Sequence, residues 1–225
     1  MKINIAIDGP SAAGKSTIAK RLAKELHYIH LDTGAMYRCA ALKALQEHVD
    51  LDDDKALCDM LAHTDIELCA DGKVLMDGKD VSKDIRMDEI SLTASDVSRH
   101  AGVRKNLVKR QQEMAKSKGF VMDGRDIGTV VLKDAEVKVF MTASPEARAV
   151  RRYRQDLAEG IPTSDIETIA EEIRQRDERD MHRAVSPLRK ADDAVEIDTS
   201  EMTIDEVTEK IYQLALPFIN EEKQS

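Results

Sequence analysis

The sequence predicts an α/β protein, a central parallel sheet covered by helices on both faces and carrying a small antiparallel β insertion. Three observations predict it. First, Gly9-Pro10-Ser11-Ala12-Ala13-Gly14-Lys15-Ser16 stands between a buried-strand pattern, Ile3-Asn4-Ile5-Ala6-Ile7, and a helical stripe of Ile18, Leu22 and Leu26. Second, short apolar runs alternate with amphipathic stretches along most of the chain, as strand-helix units do. Third, between Asp65 and Arg86 the period shortens to near alternation, broken by Asp71-Gly72 and Asp77-Gly78; Asp-Gly between apolar runs is a hairpin signal.

The first block is the full G-x-x-x-x-G-K-S/T pattern, and its chemistry follows from its residue types. Glycines let the backbone curl around a polyphosphate, Lys15 serves the β- and γ-oxygens, and the Ser16 hydroxyl serves Mg²⁺. Backbone amides and the positive end of the following helix point at the same anion.

A chain of 225 residues, 42% hydrophobic and 34% charged, suits one α/β domain with an inserted subdomain. With 3% aromatic residues and no Trp the core must be aliphatic, and few rings are left to stack a single-stranded nucleic acid. The formal charge of -9 without a basic tail argues against duplex binding. No stretch approaches the length of a membrane span, and five apolar residues before Asp8 are too few for a signal peptide, so a cytoplasmic protein is expected. Cys39, Cys58 and Cys69 are odd in number and show no C-x-x-C spacing, which suggests neither disulfides nor zinc.

Taken in order, Tyr28-Ile29-His30-Leu31 reads as a short strand that turns at Asp32-Thr33-Gly34 into a helix running through Leu45. Arg38 lies near that helix start, where the dipole disfavours a cation; it is either an anion ligand or an ordinary exposed arginine. The carboxylates at 50 and 52–54 read as a solvated loop or helix start. After the β insertion, residues 87 to 117 read as helical, with Val103, Leu107 and Met114 on one face and Gly119 as the stop. Phe120-Val121-Met122 is a buried strand whose C-terminal end delivers Asp123-Gly124-Arg125-Asp126-Ile127-Gly128. Ligands bind at such strand ends in open α/β sheets.

Val137 to Met141 is the next strand, and Ser144-Pro145-Glu146 opens a helix with a cap, a proline at the first helical position and an acid suited to the dipole. That helix should end near Gly160-Ile161-Pro162. Arg148, Arg151 and Arg152 fall on one face of it, which favours an anion in front of them. From Asp165 to His182 a further helix places Arg176, Asp180 and Arg183 on one stripe, either a ligand site or a solvent-facing ion-pair ladder. Ala194 to Asp198 is the last strand. Thr203 and Glu206 make a capping box for a closing helix with Ile204, Val207, Ile211 and Leu214 inward.

This supply of arginines exceeds what a simple nucleotide binder needs. Moving a phosphoryl group between two anionic substrates demands fixed counter-charge, because charges a few ångströms apart interact by about 1 kcal/mol in water and several-fold more in a closed site.

Four blocks then carry a resemblance that covers almost the whole chain: Gly9 to Ser16, Leu31 to Arg38, Asp123-Gly124-Arg125-Asp126-Ile127-Gly128-Thr129, and Arg176 to Pro187. Together they resemble the bacterial cytidylate kinase family, and the last two blocks are the specific ones. The resemblance implies a three-layer phosphate-loop kinase fold with a helical lid, acting as a single monomeric unit. Residues 1–57 and 97–225 would form the core, 58–96 the nucleoside-monophosphate-binding insertion and 146–168 the lid. It also implies transfer of the γ-phosphoryl of ATP, with Mg²⁺, to CMP or dCMP.

In that reading residues 9 to 16 and Thr17 bind ATP. Thr33, Tyr37, Arg38 and Arg125 lie at the acceptor phosphate, and Asp126, Ser95 and Arg104 read cytosine. Arg176 and Asp180 meet the sugar hydroxyls, with Arg183 turned toward phosphate. Lys15, Arg125, Arg151, Arg154 and Asp123 form the catalytic set; Asp123 either orients Mg²⁺ through water or stabilises its turn. The family often has Ser where this chain has Thr33, which keeps the hydroxyl. Two other readings stay open: a kinase for another small anionic acceptor, which would need no base-reading pair, and a nucleotide-dependent switch, which would need no second arginine-rich site.

Overall fold

The computed structural model describes residues 2–69, 72–160 and 163–219, apart from the side chains of Asp88 and Glu159. The chain forms two compact units. One combines the N-terminal 28 residues with everything from Lys118 onward; the other runs from Ile29 to Ser117.

In the first unit, β1 (Asn4–Asp8) leads through the glycine-rich loop into α1 (Lys15–Leu26). β6 (Phe120–Gly124) lies parallel to β1 on one side and β7 (Val137–Thr142) on the other, with β8 (Val195–Asp198) beyond β7. The register sets Ile7 opposite Asp123 and Val139. The strand order within this unit is β6-β1-β7-β8, while β2 (Ile29–Asp32) belongs to the second unit. Every residue of β1 and β6 is buried, as expected of parallel strands covered on both faces. The core is aliphatic, built from Ile3, Ile5, Ile7, Ile18, Leu22, Val139, Met141, Ile197, Val207 and Ile211.

Gly9 has φ +149, and a Cβ there would lie 2.1 Å from the Met141 carbonyl oxygen, so β7 passes too close for any side chain. α6 (Pro145–Glu159) and α7 (Ile166–His182) pack on each other around Ala149, Ile169, Ala170 and Ile173. The capping signals operate as read. Ser144 accepts from the Ala147 amide, and Thr203 and Glu206 exchange bonds before α8 (Ile204–Ile219). α6 ends at Gly160 in the left-handed region, while Ile161 and Pro162 of the expected stop lie outside the described residues. α7 ends at His182, leaving Arg183 extended just beyond the helical stripe on which it was expected.

In the second unit, α2 (Thr33–Gln46) and α3 (Asp54–Ala62) precede an antiparallel meander of β3 (Ile66–Leu68), β4 (Val74–Met76) and β5 (Lys79–Asp80). Asp77 and Gly78 both take positive φ, 51° and 76°, the two-residue turn whose twist matches antiparallel strands. The other Asp-Gly turn includes Asp71, outside the described residues.

The helix expected over 87–117 is in fact two, α4 (Asp88–Val97) and α5 (Ala101–Ala115). The break at Ser98-Arg99-His100 has identifiable causes. Ser98 Oγ donates to the Ser95 carbonyl, the His100 ring lies 2.8 Å from the Leu51 carbonyl, and Arg104 donates to the Ser98 carbonyl. Local bonds of this kind compete with the helical ladder. Among the described residues no helix is long and apolar enough to cross a membrane.

Candidate active site

The glycine-rich loop places Lys15 and Ser16 at the first turn of α1, directly beyond the end of β1. Lys15 is only 6% exposed, and its Nζ donates to the Pro10 carbonyl at 2.6 Å. Burial and then the charge of Arg125 push its ammonium down to about 7, against the favourable charges of Asp123, Asp8 and Asp180. The Ser16 hydroxyl donates to Asp123 Oδ2 at 2.6 Å, so the two residues expected to serve a divalent cation stand together.

Asp8 is a member of this cluster that sequence reasoning passed over. Its buried carboxylate accepts from the Ile127 and Gly128 amides, each at 2.7 Å. Burial pushes its carboxyl up to about 6, offset by those two bonds. A usable signal existed, because an aspartate closing a strand that reads as buried must find partners or lose its charge.

The block after β6 meets the end of α7 through two ion pairs. Arg125 Nε donates to Asp180 Oδ2 at 3.0 Å, and Arg183 Nη2 lies 3.9 Å from Asp126 Oδ1. Arg183 also donates to the Ser186 carbonyl at 2.6 Å. Burial opposes ionisation of Asp180, but Arg125, Arg176 and Arg183 together hold its carboxyl below the usual carboxylate range. Arg176 sits half-buried one turn earlier on α7.

Three of the four arginines of α6 have protein partners. Arg148 is buried and donates to the Ala143 and Ser11 carbonyls and to Asp177 at 2.5 Å. Arg151 bonds Thr199, Arg152 pairs with Asp156, and Arg154 is exposed. The three guanidiniums expected to favour an anion in front of them are thus met by carboxylates, carbonyls and a hydroxyl of the chain itself.

In the second unit Asp32 caps α2, accepting from the Ala35 amide with Oδ1 and from Arg38 Nη2 at 2.7 Å with Oδ2. Arg38 lies in the second turn of α2 and folds back to the carboxylate that caps the helix. Gly34 makes room for this fold-back, since a Cβ would lie 3.0 Å from Arg38 Nη1 and 3.1 Å from Asp32 Oδ1. Burial opposes ionisation of Asp32, but the guanidinium beside it holds the carboxyl low. The Arg104 guanidinium sits 5.3 Å from the centre of the Tyr37 ring, a cation–π contact, and Arg104 itself is 3% exposed. Thr33 is buried at the start of α2, and Ser95 is half-buried on α4.

A parallel sheet whose first strand feeds a lysine- and hydroxyl-bearing loop, with a carboxylate delivered from the neighbouring strand, defines a phosphate-loop nucleotide-binding protein. The shikimate kinase of Bacteroides thetaiotaomicron has the same fold, with TM-score 0.52 at 14% identity over 96% of this chain and 99% of that one. So does a gluconokinase from Sinorhizobium meliloti 1021, with TM-score 0.52 at 15% identity over 100% and 98%.

The cytidylate kinase family model matches residues 5–216. The cytidylate kinase of Bacillus subtilis is 54% identical over 215 residues, covering 94% of this chain and 96% of the relative. That of Caldicellulosiruptor bescii is 49% identical over 224 residues, covering 98% and 99%. The chain belongs to the cytidylate kinase family.

Proposed function

We propose that the protein transfers the γ-phosphoryl of ATP to CMP and dCMP, forming CDP and dCDP by direct in-line displacement with Mg²⁺. The geometry that carries the transfer reading is the joint placement of Lys15, Ser16 and Asp123; the choice of cytidylate rests on the relatives' names. Lys15 and the loop amides of residues 9 to 17 hold the donor phosphates. Among the described residues no cluster of three or more His, Cys, Asp or Glu forms a metal cage. Mg²⁺ keeps several waters and takes one or two protein oxygens plus substrate phosphates, and Ser16 and Asp123 offer such oxygens. When bound, the ion would neutralise charge on the transferring group.

Arg38 and Arg125 bind the acceptor phosphate, with Thr33 and Tyr37 beside it. Asp126 accepts from the exocyclic amino group of cytosine, while Arg104 and Ser95 serve the ring acceptors; uracil reverses that pattern at the amino position. Arg176 and Asp180 take the sugar hydroxyls and Arg183 turns to phosphate, which requires Asp180 to share or release Arg125. Residues 146–168, with Arg151 and Arg154, act as a lid that excludes water. In this reading the enzyme works as a cytoplasmic monomer on small molecules.

A coupled assay with CMP, dCMP, UMP and AMP tests the reading. Turnover with CMP and dCMP far above the other two is the expected result; equal or better turnover of UMP or AMP would overturn the cytosine assignment.

A further inference from the structure

We infer that Asp8 is a positioning residue for the acceptor side: it seats the loop bearing Arg125 and Asp126 against the end of β1. The inference rests on the proposed roles of Arg125 and Asp126.

Three observations lead to it. The loop after β6 closes into a short π-helical turn over Ile127–Val131, and Asp126 stands at its N-cap. The first amides of any helical turn need acceptors, and an aspartate at the N-cap normally supplies one. Asp126 makes no capping bond. Both amides, Ile127 and Gly128, are instead taken by Asp8 from the neighbouring strand, at 2.7 Å each.

The seat is also shaped for this. β1 and β6 pair with Asp8 opposite Gly124, which sets the carboxylate beside the turn. A Cβ on residue 128 would lie 3.4 Å from Asp8 Oδ2 and 3.2 Å from Lys138 Cδ, so the turn reaches the carboxylate closely because residue 128 has no side chain. Lys138, on the far side, is occupied by Asp193 at 2.6 Å. The Ile127 and Gly128 amides are the hydrogen-bond partners of Asp8 among the described residues, and Lys15 acts on it through charge. A buried carboxylate hydrogen-bonded to two backbone amides, with the Lys15 charge nearby, is costly to keep for stability alone, because an apolar residue of similar size would avoid the desolvation.

Asp8 also immediately precedes Gly9. The same residue therefore ends the strand that aims the donor loop and holds the loop expected to read the acceptor.

The test uses the full-length enzyme with Asp8→Asn, which keeps the shape but turns an amide NH₂ toward one backbone N–H, and Asp8→Ala. For Asp8→Asn we expect the KM for CMP to rise about 10-fold, and the preference for CMP over UMP in kcat/KM to fall about 10-fold, while the KM for ATP stays within about 3-fold. The amide resonances of Ile127 and Gly128 should move upfield as the charged acceptor is lost. Unchanged CMP binding and selectivity, or a uniform loss of activity that tracks the folded fraction, would overturn the role. Asp126→Ala is the parallel control. If it leaves selectivity intact, the reading of the site fails; if it relaxes selectivity and Asp8→Asn does not, this inference alone fails. Should Asp8→Ala not fold, Asp8→Asn still decides.

Discussion

Ser16 at the start of α1 and Asp123 near the end of β6 are 107 residues apart in sequence and share a hydrogen bond of 2.6 Å. Parallel pairing of β1 with β6 brings them together, since Ile7 is opposite Asp123 and the loop returns Ser16 to the same edge. Asp123→Asn keeps the size of the side chain but removes its charge. The expected outcome is a loss of about 100-fold in kcat with a rise in the Mg²⁺ concentration needed for half-maximal rate. A Mg²⁺ titration of wild type and variant checks it; an unshifted Mg²⁺ dependence would assign Asp123 to turn stability only.

Burial and the charge of Arg125 push the Lys15 ammonium down to about 7. Its folded value lies below its ordinary one, so the folded protein holds this proton less tightly than the unfolded chain. The ammonium thus costs stability at pH 7, and the penalty fades as pH rises from about 7 toward about 10.5. A bound polyphosphate restores the charge, so ATP binding at pH 8 should take up close to one proton, seen by calorimetry in buffers of different ionisation enthalpy. Lys15→Met should abolish that uptake and lower kcat by about 1000-fold, yet raise the melting temperature at pH 7.

Arg38 and Asp32 bind through a guanidinium that a lysine cannot imitate. Arg38→Lys is expected to raise the KM for CMP about 10-fold and leave the KM for ATP unchanged, as steady-state kinetics with each substrate varied would show. Asp32→Ala should do this and also cost about 1 kcal/mol of stability, through the lost cap on α2.

Arg148 and Asp177 make a buried pair between α6 and α7. Removing one partner strands the other, so Arg148→Ala should destabilise the protein by about 3–5 kcal/mol. Denaturant unfolding measures this. A change below about 1 kcal/mol would show that the pair is hydrated and dispensable.

The parts of this fold legible in the sequence are those governed by near neighbours. Strand, glycine loop and helix at residues 4–26, the capping box at Thr203 and Glu206, and the turn at Asp77-Gly78 all follow from local pattern and backbone preference. What escaped is set by partners far along the chain. The break after Val97 depends on the Leu51 carbonyl, and the burial of Asp8 depends on amides 119 and 120 residues away. For the candidate site the residue types were legible, because phosphate chemistry selects them, but their partners were not. Nothing local in α6 says that Arg148 will face Asp177 or that Arg151 will face Thr199.

One feature of the loop limits what engineering can do with this enzyme. The Met141 carbonyl oxygen fills the place where a side chain at position 9 would begin, and it belongs to the backbone of a central strand that cannot retreat without unpairing β1 from β7. A saturation library at position 9 has a one-letter alphabet. Any redesign of the loop must therefore leave its hinge untouched, and Ala12, at φ 56 and packed against the α6–α7 core, is constrained as well.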